Sequence, residues 1–437
     1  MIQKSRPSRR VPATLAALTL GVLGLCSSAQ SAAPDPEPAQ APAPGSSAAG
    51  AAAGLTVRAE IGVPLQDAQR LLGEKKNQEA AEKIQAAEAV AAKTPYELHI
   101  LARVKGALAV ATGDADLAAQ QFESAGHGPW FTKAERVASL QAVAALYYNA
   151  KNYANALIWV ERYLQAGGND PGMLTLRAQS FYLKGDYASA ANALTEEIGK
   201  AKAAGQKPTE IQLRLLADSR GRVHDEAGQT QALELLVEHY PDQARWQSVL
   251  ARLWSKPMLA PSLQLDVFRL QRVAAGLLEA SDYTDMAEMA LQSGSAIEAN
   301  AIIEQGYAAG LIGSGPKAAE AGRLRAKIAK AAAEDRDTLE KDVARAKNLA
   351  DGLAMFNYGF NLFQIGQTER GIGQMEQALA RGIARHGESA KLRLVAAYAK
   401  VKEIDKAKRL LATLGEPNAL VGLQDLVRYW GLFLRQP

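Results

Sequence analysis

The chain has 437 residues, of which 48% are hydrophobic and 22% charged, a composition that excludes an intrinsically disordered protein. Alanine occurs 86 times while aromatic residues make up 6% of the chain, which favours closely packed helices over an all-β fold. The formal charge is +4, but the first 33 positions hold four basic residues and no acidic one, so the remainder is neutral. Net charge therefore gives no support for binding nucleic acid or an anionic membrane.

The N-terminus has the order of a secretory signal peptide. Positive charges fall within residues 1–10, an apolar stretch covers 11–25, and mostly small residues follow. The apolar stretch is shorter than the roughly 20 residues of a membrane-spanning helix. We predict a signal peptide over 1–31, cleaved between about 29 and 33 by the general secretion route, and a periplasmic protein. A lipoprotein is the less favoured alternative, because Leu25 stands where a small residue should precede Cys26.

Residues 32–54 consist almost entirely of alanine, proline, serine and glycine, with too few large apolar side chains to form a core. This composition predicts a flexible tether. Cys26 is the only cysteine, so a chain cleaved after it has neither a disulfide nor a thiolate metal site. The folded part is predicted to begin near Leu55.

Prolines recur at nearly regular intervals in the first half of the folded part. Because proline breaks helices and is tolerated just outside them, regular prolines predict regular helix boundaries. They stand at Pro95, Pro129, Pro171, Pro208 and Pro241.

Small and aromatic residues recur between these prolines. Four positions in one segment reappear 34 residues later, and each set spans two helical patterns joined by a turn. Small residues let two crossing helices approach to about 8 Å, with aromatic side chains filling the space beside the crossing. The two sets are Ala144, Tyr147, Tyr153 and Ala156, then Ala178, Phe181, Tyr187 and Ala190.

These residues resemble the tetratricopeptide repeat, a helix pair of 34 residues. The resemblance implies an all-α fold, an α-solenoid forming a right-handed superhelix, with about ten helix pairs over residues 55–417. Degenerate pairs are expected near 245–280 and 317–350, and residues 418–437 are predicted to cap the last repeat. An exposed docking helix is the alternative for this last segment. The second-helix small residues are predicted at Ala80, Ala118, Ala156, Ala190, Ala232, Ala299, Gly371 and Ala407.

No catalytic or metal-binding signature stands out. The five histidines are scattered, and none has a partner at the helical i, i+4 spacing of a zinc site. His224, Asp225 and Glu226 form one local cluster, but adjacent helical residues diverge by about 100° and do not converge on an ion. We predict a non-enzyme with no cofactor and no metal site.

The repeat register instead predicts a peptide-binding groove along the first helices. Amide and tyrosine side chains suit hydrogen bonding to an extended peptide. The tyrosines could instead pack between repeats, and the phenylalanines, at i, i+4 and i+7, could instead be core residues beneath the C-terminal cap. The candidate residues are Gln141, Tyr148, Asn149, Thr175, Gln179, Tyr182, Phe356, Phe360 and Phe363.

The region from Tyr358 to Trp430, together with 281–291 and 331–335, resembles a group of exported proteobacterial tetratricopeptide proteins. Some members are described as components of the TonB, ExbB and ExbD energy-transduction system, so TonB-system partners are what the resemblance implies. No functional residue is carried over from that group. The sequence thus predicts a periplasmic protein-interaction scaffold. An envelope enzyme with a dispersed histidine and acidic site, and a self-associating assembly factor, are the alternatives.

Overall fold

Helices account for the regular secondary structure of the residues that the structure describes. The computed structural model describes residues 56–346, 348–414 and 420–436, which contain twenty α-helices, one short 3-10 helix and no strand. The predicted signal peptide (1–31), Cys26 and the tether (32–54) lie outside the described residues. None of the described helices is both long and apolar enough to cross a membrane.

The described residues divide into two compact units. Unit 1 comprises 56–151 and 161–168, and unit 2 comprises 152–160 and 169–436. Unit 1 contains α1 (Ala59–Gly73), α2 (Asn77–Ala89), α3 (Pro95–Thr112), α4 (Ala115–Gly126), α5 (Lys133–Asn149) and the last part of α6 (Tyr153–Gln165). Unit 2 contains the first part of α6, then α7 (Pro171–Lys184), α8 (Tyr187–Ala203), α9 (Glu210–Arg222), α10 (Glu226–His239), α11 (Gln243–Trp254), the 3-10 helix Pro261–Leu263, α12 (Gln264–Ala274), α13 (Ala280–Gln292), α14 (Ala296–Ala308), α15 (Ala318–Ala346), α16 (Leu353–Gln364), α17 (Thr368–Arg381), α18 (Gly387–Lys400), α19 (Ile404–Ala412) and α20 (Leu423–Phe433).

The regular prolines mark helix starts, as predicted. Each lies at, or within four residues before, the first residue of α3, α5, α7, α9 or α11. Three of these starts also carry a capping box, in which a threonine and a Glu or Gln three residues on satisfy each other's backbone N–H groups. The threonines are Thr94, Thr132 and Thr209.

The predicted crossing positions are confirmed as buried. Each second-helix alanine is at most 1% exposed, and Gly371 is also buried. In unit 1, α1 packs on α2 and α3 on α4; in unit 2, α7 packs on α8, α9 on α10, α13 on α14, α16 on α17 and α18 on α19. The first helices of consecutive pairs also contact each other: α1 packs against α3, and α7 packs against α9. The fold is therefore an all-α solenoid of stacked helix pairs.

One expected helix pair is absent. Residues 317–350 were expected to form a degenerate pair, but α15 is a single helix of 29 residues. Its buried positions follow one another along the whole length without a turn, since no glycine or proline interrupts 323–346. The other expected pair, near 245–280, is present as α11 and α12, which pack together.

The C-terminal helix α20 packs against α10 and α12 as well as against α19. It was predicted to cap the last repeat, and its contacts with α10 and α12 go beyond that prediction. Trp246 of α11 lies 6.3 Å from Phe433 between ring centroids, and the backbone N–H of Ala260 donates to the carbonyl of Val421 at 3.0 Å. One hydrophobic core consequently joins α10–α12 to α16–α20 within unit 2. Its fully buried side chains include Trp246, Phe356 and Trp430.

Candidate functional site

The predicted groove residues of α5 lie in unit 1. Gln141 and Tyr148 are half-buried, and Asn149 is exposed at the last position of the helix. The neighbouring Tyr147 is 6% exposed and donates its hydroxyl to Asp116 of α4 at 2.7 Å. On α5, therefore, one of the two adjacent tyrosines packs inside and the other reaches the surface.

The phenylalanine stripe of α16 is core and not groove, which corrects its prediction as a binding surface. Phe356, Phe360 and Phe363 are 0%, 4% and 6% exposed. Helix α18 covers them, with the guanidinium carbon of Arg393 4.8 Å from the Phe356 ring centre and Lys400 Nζ 5.1 Å from that of Phe363. The spacing identified the apolar side of α16 correctly, but that side faces the next first helix, so no peptide can reach it.

Helix α7 carries the remaining predicted groove residues, Thr175, Gln179 and Tyr182, all half-buried. The Tyr182 hydroxyl donates to Asp218 Oδ2 of α9 at 2.6 Å. Burial, together with this bond, raises the pKa of Tyr182 to about 12, so the hydroxyl stays a donor at neutral pH. The Tyr187 ring packs edge-on against Tyr182 with centroids 5.4 Å apart.

Sequence reasoning missed the contribution of α9. Ile211, Asp218 and Arg222 are spaced i, i+7 and i+11, which places them on one side of the helix. Ile211 is 53% exposed, and Arg222 donates through Nε to Asp218 at 3.3 Å while its guanidinium carbon lies 5.1 Å from the Tyr187 ring centre. The spacing was legible in the sequence once α9 is recognised as the first helix of the next pair.

We call this surface of unit 2 the α7–α9 face. It combines an amide, two hydroxyl groups, a carboxylate, a guanidinium and an exposed aliphatic side chain on two helices in contact. These groups can hydrogen-bond to the backbone of an extended peptide and pack against its side chains. The face consists of Thr175, Gln179, Tyr182, Ile211, Asp218 and Arg222.

The histidine and acidic cluster has a structural role. His224 occupies the turn between α9 and α10 with φ of 58°, and Asp225 caps α10 by accepting the Gly228 N–H at 2.9 Å. Asp225 also pairs with Arg220 at 3.0 Å. His239 ends α10, about 20 Å away along the helix axis, so the dispersed site that the enzyme alternative requires does not assemble there. Among the described residues, no three His, Cys, Asp or Glu side chains are grouped so as to hold a metal ion.

No protein-family model and no curated protein sequence matches the chain. Solved structures do align with it. The TPR2AB-domain:pHSP90-complex of yeast Sti1 aligns at 12% identity and a TM-score of 0.22, covering 68% of this chain and 97% of that one. Yeast Tom70 aligns at 11% identity and a TM-score of 0.23, covering 84% of this chain and 94% of that one. NprR in complex with its cognate peptide NprX aligns at 11% identity and a TM-score of 0.22, covering 86% of this chain and 98% of that one. No function is carried over from them.

Proposed function

We propose that this protein is a non-catalytic protein-interaction scaffold that holds an extended segment of a partner protein on the α7–α9 face. One observation carries the proposal. Tyr182 and Asp218 join two consecutive first helices by a 2.6 Å hydrogen bond, and the side chains around that bond stay partly accessible. A partner segment laid across both helices finds backbone-directed donors and acceptors at Gln179 and Thr175, a cation at Arg222 and apolar surface at Ile211.

The cellular setting is part of the same proposal and rests on sequence alone. The signal-like N-terminus supports export to the periplasm, and the resemblance over 358–430 supports a role beside the TonB system. Both are separable from the binding face, because the face would serve a peptide in any compartment.

Photo-crosslinking tests the binding face directly. A photoreactive phenylalanine in place of Ile211 should give covalent adducts with a partner in intact cells, since this side chain is exposed on the proposed face. The matched control places the same residue at Lys202, an exposed position on the second helix α8. Adding Arg222→Ala to the variant that carries the photoreactive residue at position 211 should reduce the adduct yield several-fold. The substitution removes a cation that, on this proposal, contacts the partner.

Equal yields from the two positions, or a yield that Arg222→Ala leaves unchanged, would contradict the face assignment. Identifying the adducts by mass spectrometry tests the setting separately. Adducts with a TonB-system component support that link, whereas adducts with unrelated proteins overturn the link and leave the scaffold intact.

A further inference from the structure

Unit 2 contains a cavity of about 610 Å³ that lies far along the chain from the α7–α9 face. Its wall is formed by the first residues of three helical segments, the 3-10 helix with α12, α16 and α18, and by the last turn of α13. This volume suits a small organic molecule. Among the described residues that line it, none is acidic, while two arginines and one histidine are present: Arg269, Arg393 and His386.

Arg269 already has its counter-ions. It donates through Nε and Nη2 to both oxygens of Glu298 at 2.9 and 2.6 Å, and through Nη1 to Asp266 at 2.7 Å. The three side chains are 7%, 2% and 1% exposed. Burial alone would raise the pKa of Glu298, but the two hydrogen bonds from the Arg269 guanidinium hold it below its usual range. Arg269 therefore needs no ligand to balance its charge.

Arg393 has no such partner. Its side chain is 6% exposed, its Nη1 donates to Asn357 Oδ1 at 3.0 Å, and its Nε has no acceptor. Among the described residues no carboxylate forms a direct ion pair with it; Asp266 and Glu298 pair with Arg269 and act on Arg393 from beyond ion-pair distance. Burial and the nearby Arg269 lower the pKa of Arg393 to about 10, although Asp266 and Glu298 raise it, so the guanidinium remains charged at neutral pH.

One helix start beside the cavity adds to the positive potential. Helix α18 starts after His386 without a side-chain cap, whereas the first N–H of α16, at Leu353, donates to Asp351 Oδ1 at 2.7 Å. Backbone N–H groups at such ends have no intrahelical partner and attract anions. A buried guanidinium with a free donor and the uncapped start of α18 thus face the same cavity.

We propose that this cavity binds a small organic anion, with a carboxylate paired to Arg393 and an apolar body against Leu265, Met289 and Leu353. The two arginines and the two carboxylates make the buried cluster neutral overall, so a monocarboxylate, which needs only the free N–H of Arg393, fits better than a doubly charged phosphate. Ser389, one turn before Arg393 on α18, lies in the same wall with its hydroxyl bonded to Asp266. The site shares no residue with the α7–α9 face, so it can be tested independently of the proposed scaffold function.

Isothermal titration and thermal unfolding of the full chain test the proposal, with hexanoate, its neutral analogue hexanamide and inorganic phosphate as probes at constant ionic strength. Hexanoate should raise the melting temperature by at least about 2 °C, whereas hexanamide should not. Phosphate should bind at least about tenfold more weakly than hexanoate. Stabilisation by phosphate alone, or equal effects of hexanoate and hexanamide, would overturn the carboxylate assignment.

Variants identify the residue that binds the probe. Arg393→Met should abolish the hexanoate effect. Lys400→Met is the matched control, because Lys400 lies on the same helix above the same phenylalanine row but outside the cavity lining. If Arg393→Met fails to fold, Arg393→Lys decides: loss of the guanidinium should weaken hexanoate binding several-fold, and an unchanged affinity would contradict the site.

Discussion

Arg428 of α20 donates through Nε to Glu234 Oε1 of α10 at 2.8 Å, joining positions 194 residues apart in the chain. Arg428 also donates to Asp425 at 2.8 Å, and Asp425 pairs with Lys256 at the end of α11. The C-terminal helix is thus tied by charges at its rim and by Leu426 and Trp430 at its centre to helices from the middle of the chain.

The apolar centre of this contact should matter more than its charged rim. Leu426 is fully buried, so Leu426→Ala should reduce the free energy of unfolding by about 2–5 kcal/mol in urea titrations. Arg428 is 42% exposed, and Arg428→Ala should cost less than about 1 kcal/mol. Hydrogen exchange after Leu426→Ala should show faster exchange in α10–α12 as well as in α20. Faster exchange confined to α20 and α19 would contradict the contact with α10.

Two glycines of α17 should respond to alanine in opposite directions. A Cβ at Gly371 would lie 2.6 Å from the Phe363 backbone nitrogen and 2.7 Å from the Gly359 oxygen, so Gly371→Ala should force α16 and α17 apart. We expect Gly371→Ala to lower the free energy of unfolding by about 1–3 kcal/mol or more. A Cβ at Gly373 meets nothing within 4 Å, and Gly373→Ala should stabilise the helix by about 0.5–1 kcal/mol. Urea midpoints of the two variants provide the comparison; equal shifts would exclude a tight crossing.

Adjacent glutamates of α8 should differ in their effect on stability as the pH changes. Burial raises the pKa of Glu197 to about 7 from an ordinary value of 4.5, so the folded state binds the extra proton and loses stability as pH rises through this window. Glu197→Gln should therefore stabilise the protein by about 1–2 kcal/mol at pH 8, allowing for partial solvent access, and have little effect at pH 4.

The matched control for that measurement is Glu196→Gln. Lys200 bonds to Glu196 at 2.6 Å and lowers its pKa, so removing this carboxylate should give no stabilisation at pH 8 and a loss below about 0.5 kcal/mol. Similar responses of the two variants to pH would show that Glu197 is not desolvated.

In unit 1, Glu97 should make stability depend on pH at the acid end. Arg58 donates to it through Nε, Nη2 and its backbone N–H, and the backbone N–H of Thr94 adds a fourth bond. These donors lower the pKa of Glu97 to about 2. Its contribution is fully present above the ordinary value of 4.5 and is lost as pH falls towards 2. Carboxyl NMR titration should show the low pKa, and Arg58→Gln should move it towards 4.5; a titration near 4.5 in the unaltered chain would contradict the contact.

Local patterns in the sequence were enough to predict the helix pairs. Proline positions and recurring alanines report on backbone geometry and close approach, which depend on neighbouring residues, and Ala118 and Ala190 are accordingly buried where expected. The spacing of Phe356, Phe360 and Phe363 defined an apolar side but not the element that covers it. The covering residue, Arg393, is about 30 positions away and belongs to another pair, so no local pattern could assign the stripe to core.

The candidate binding surfaces were predicted in part. Gln179 and Tyr182 were identified on α7, while Asp218 and Arg222 were missed because the register was not extended to α9. The cavity could not be predicted, since it depends on three helix starts that are far apart in sequence and meet only after the chain folds back.

The 3.0 Å bond between Ala260 and Val421 also bears on how the chain folds. A linear array of repeats has low contact order, so it can nucleate anywhere and grow by adding neighbours. Here α10–α12 complete their core only when residues 420–436 arrive, and closing a loop of that length carries an entropic cost before the contacts form. We therefore expect unit 2 to fold more slowly than an open array of equal size, and to do so only after residues 420–436 have been synthesised. A nascent or truncated chain that stops before residue 420 leaves Trp246 without its covering helix and exposes part of this apolar core to water.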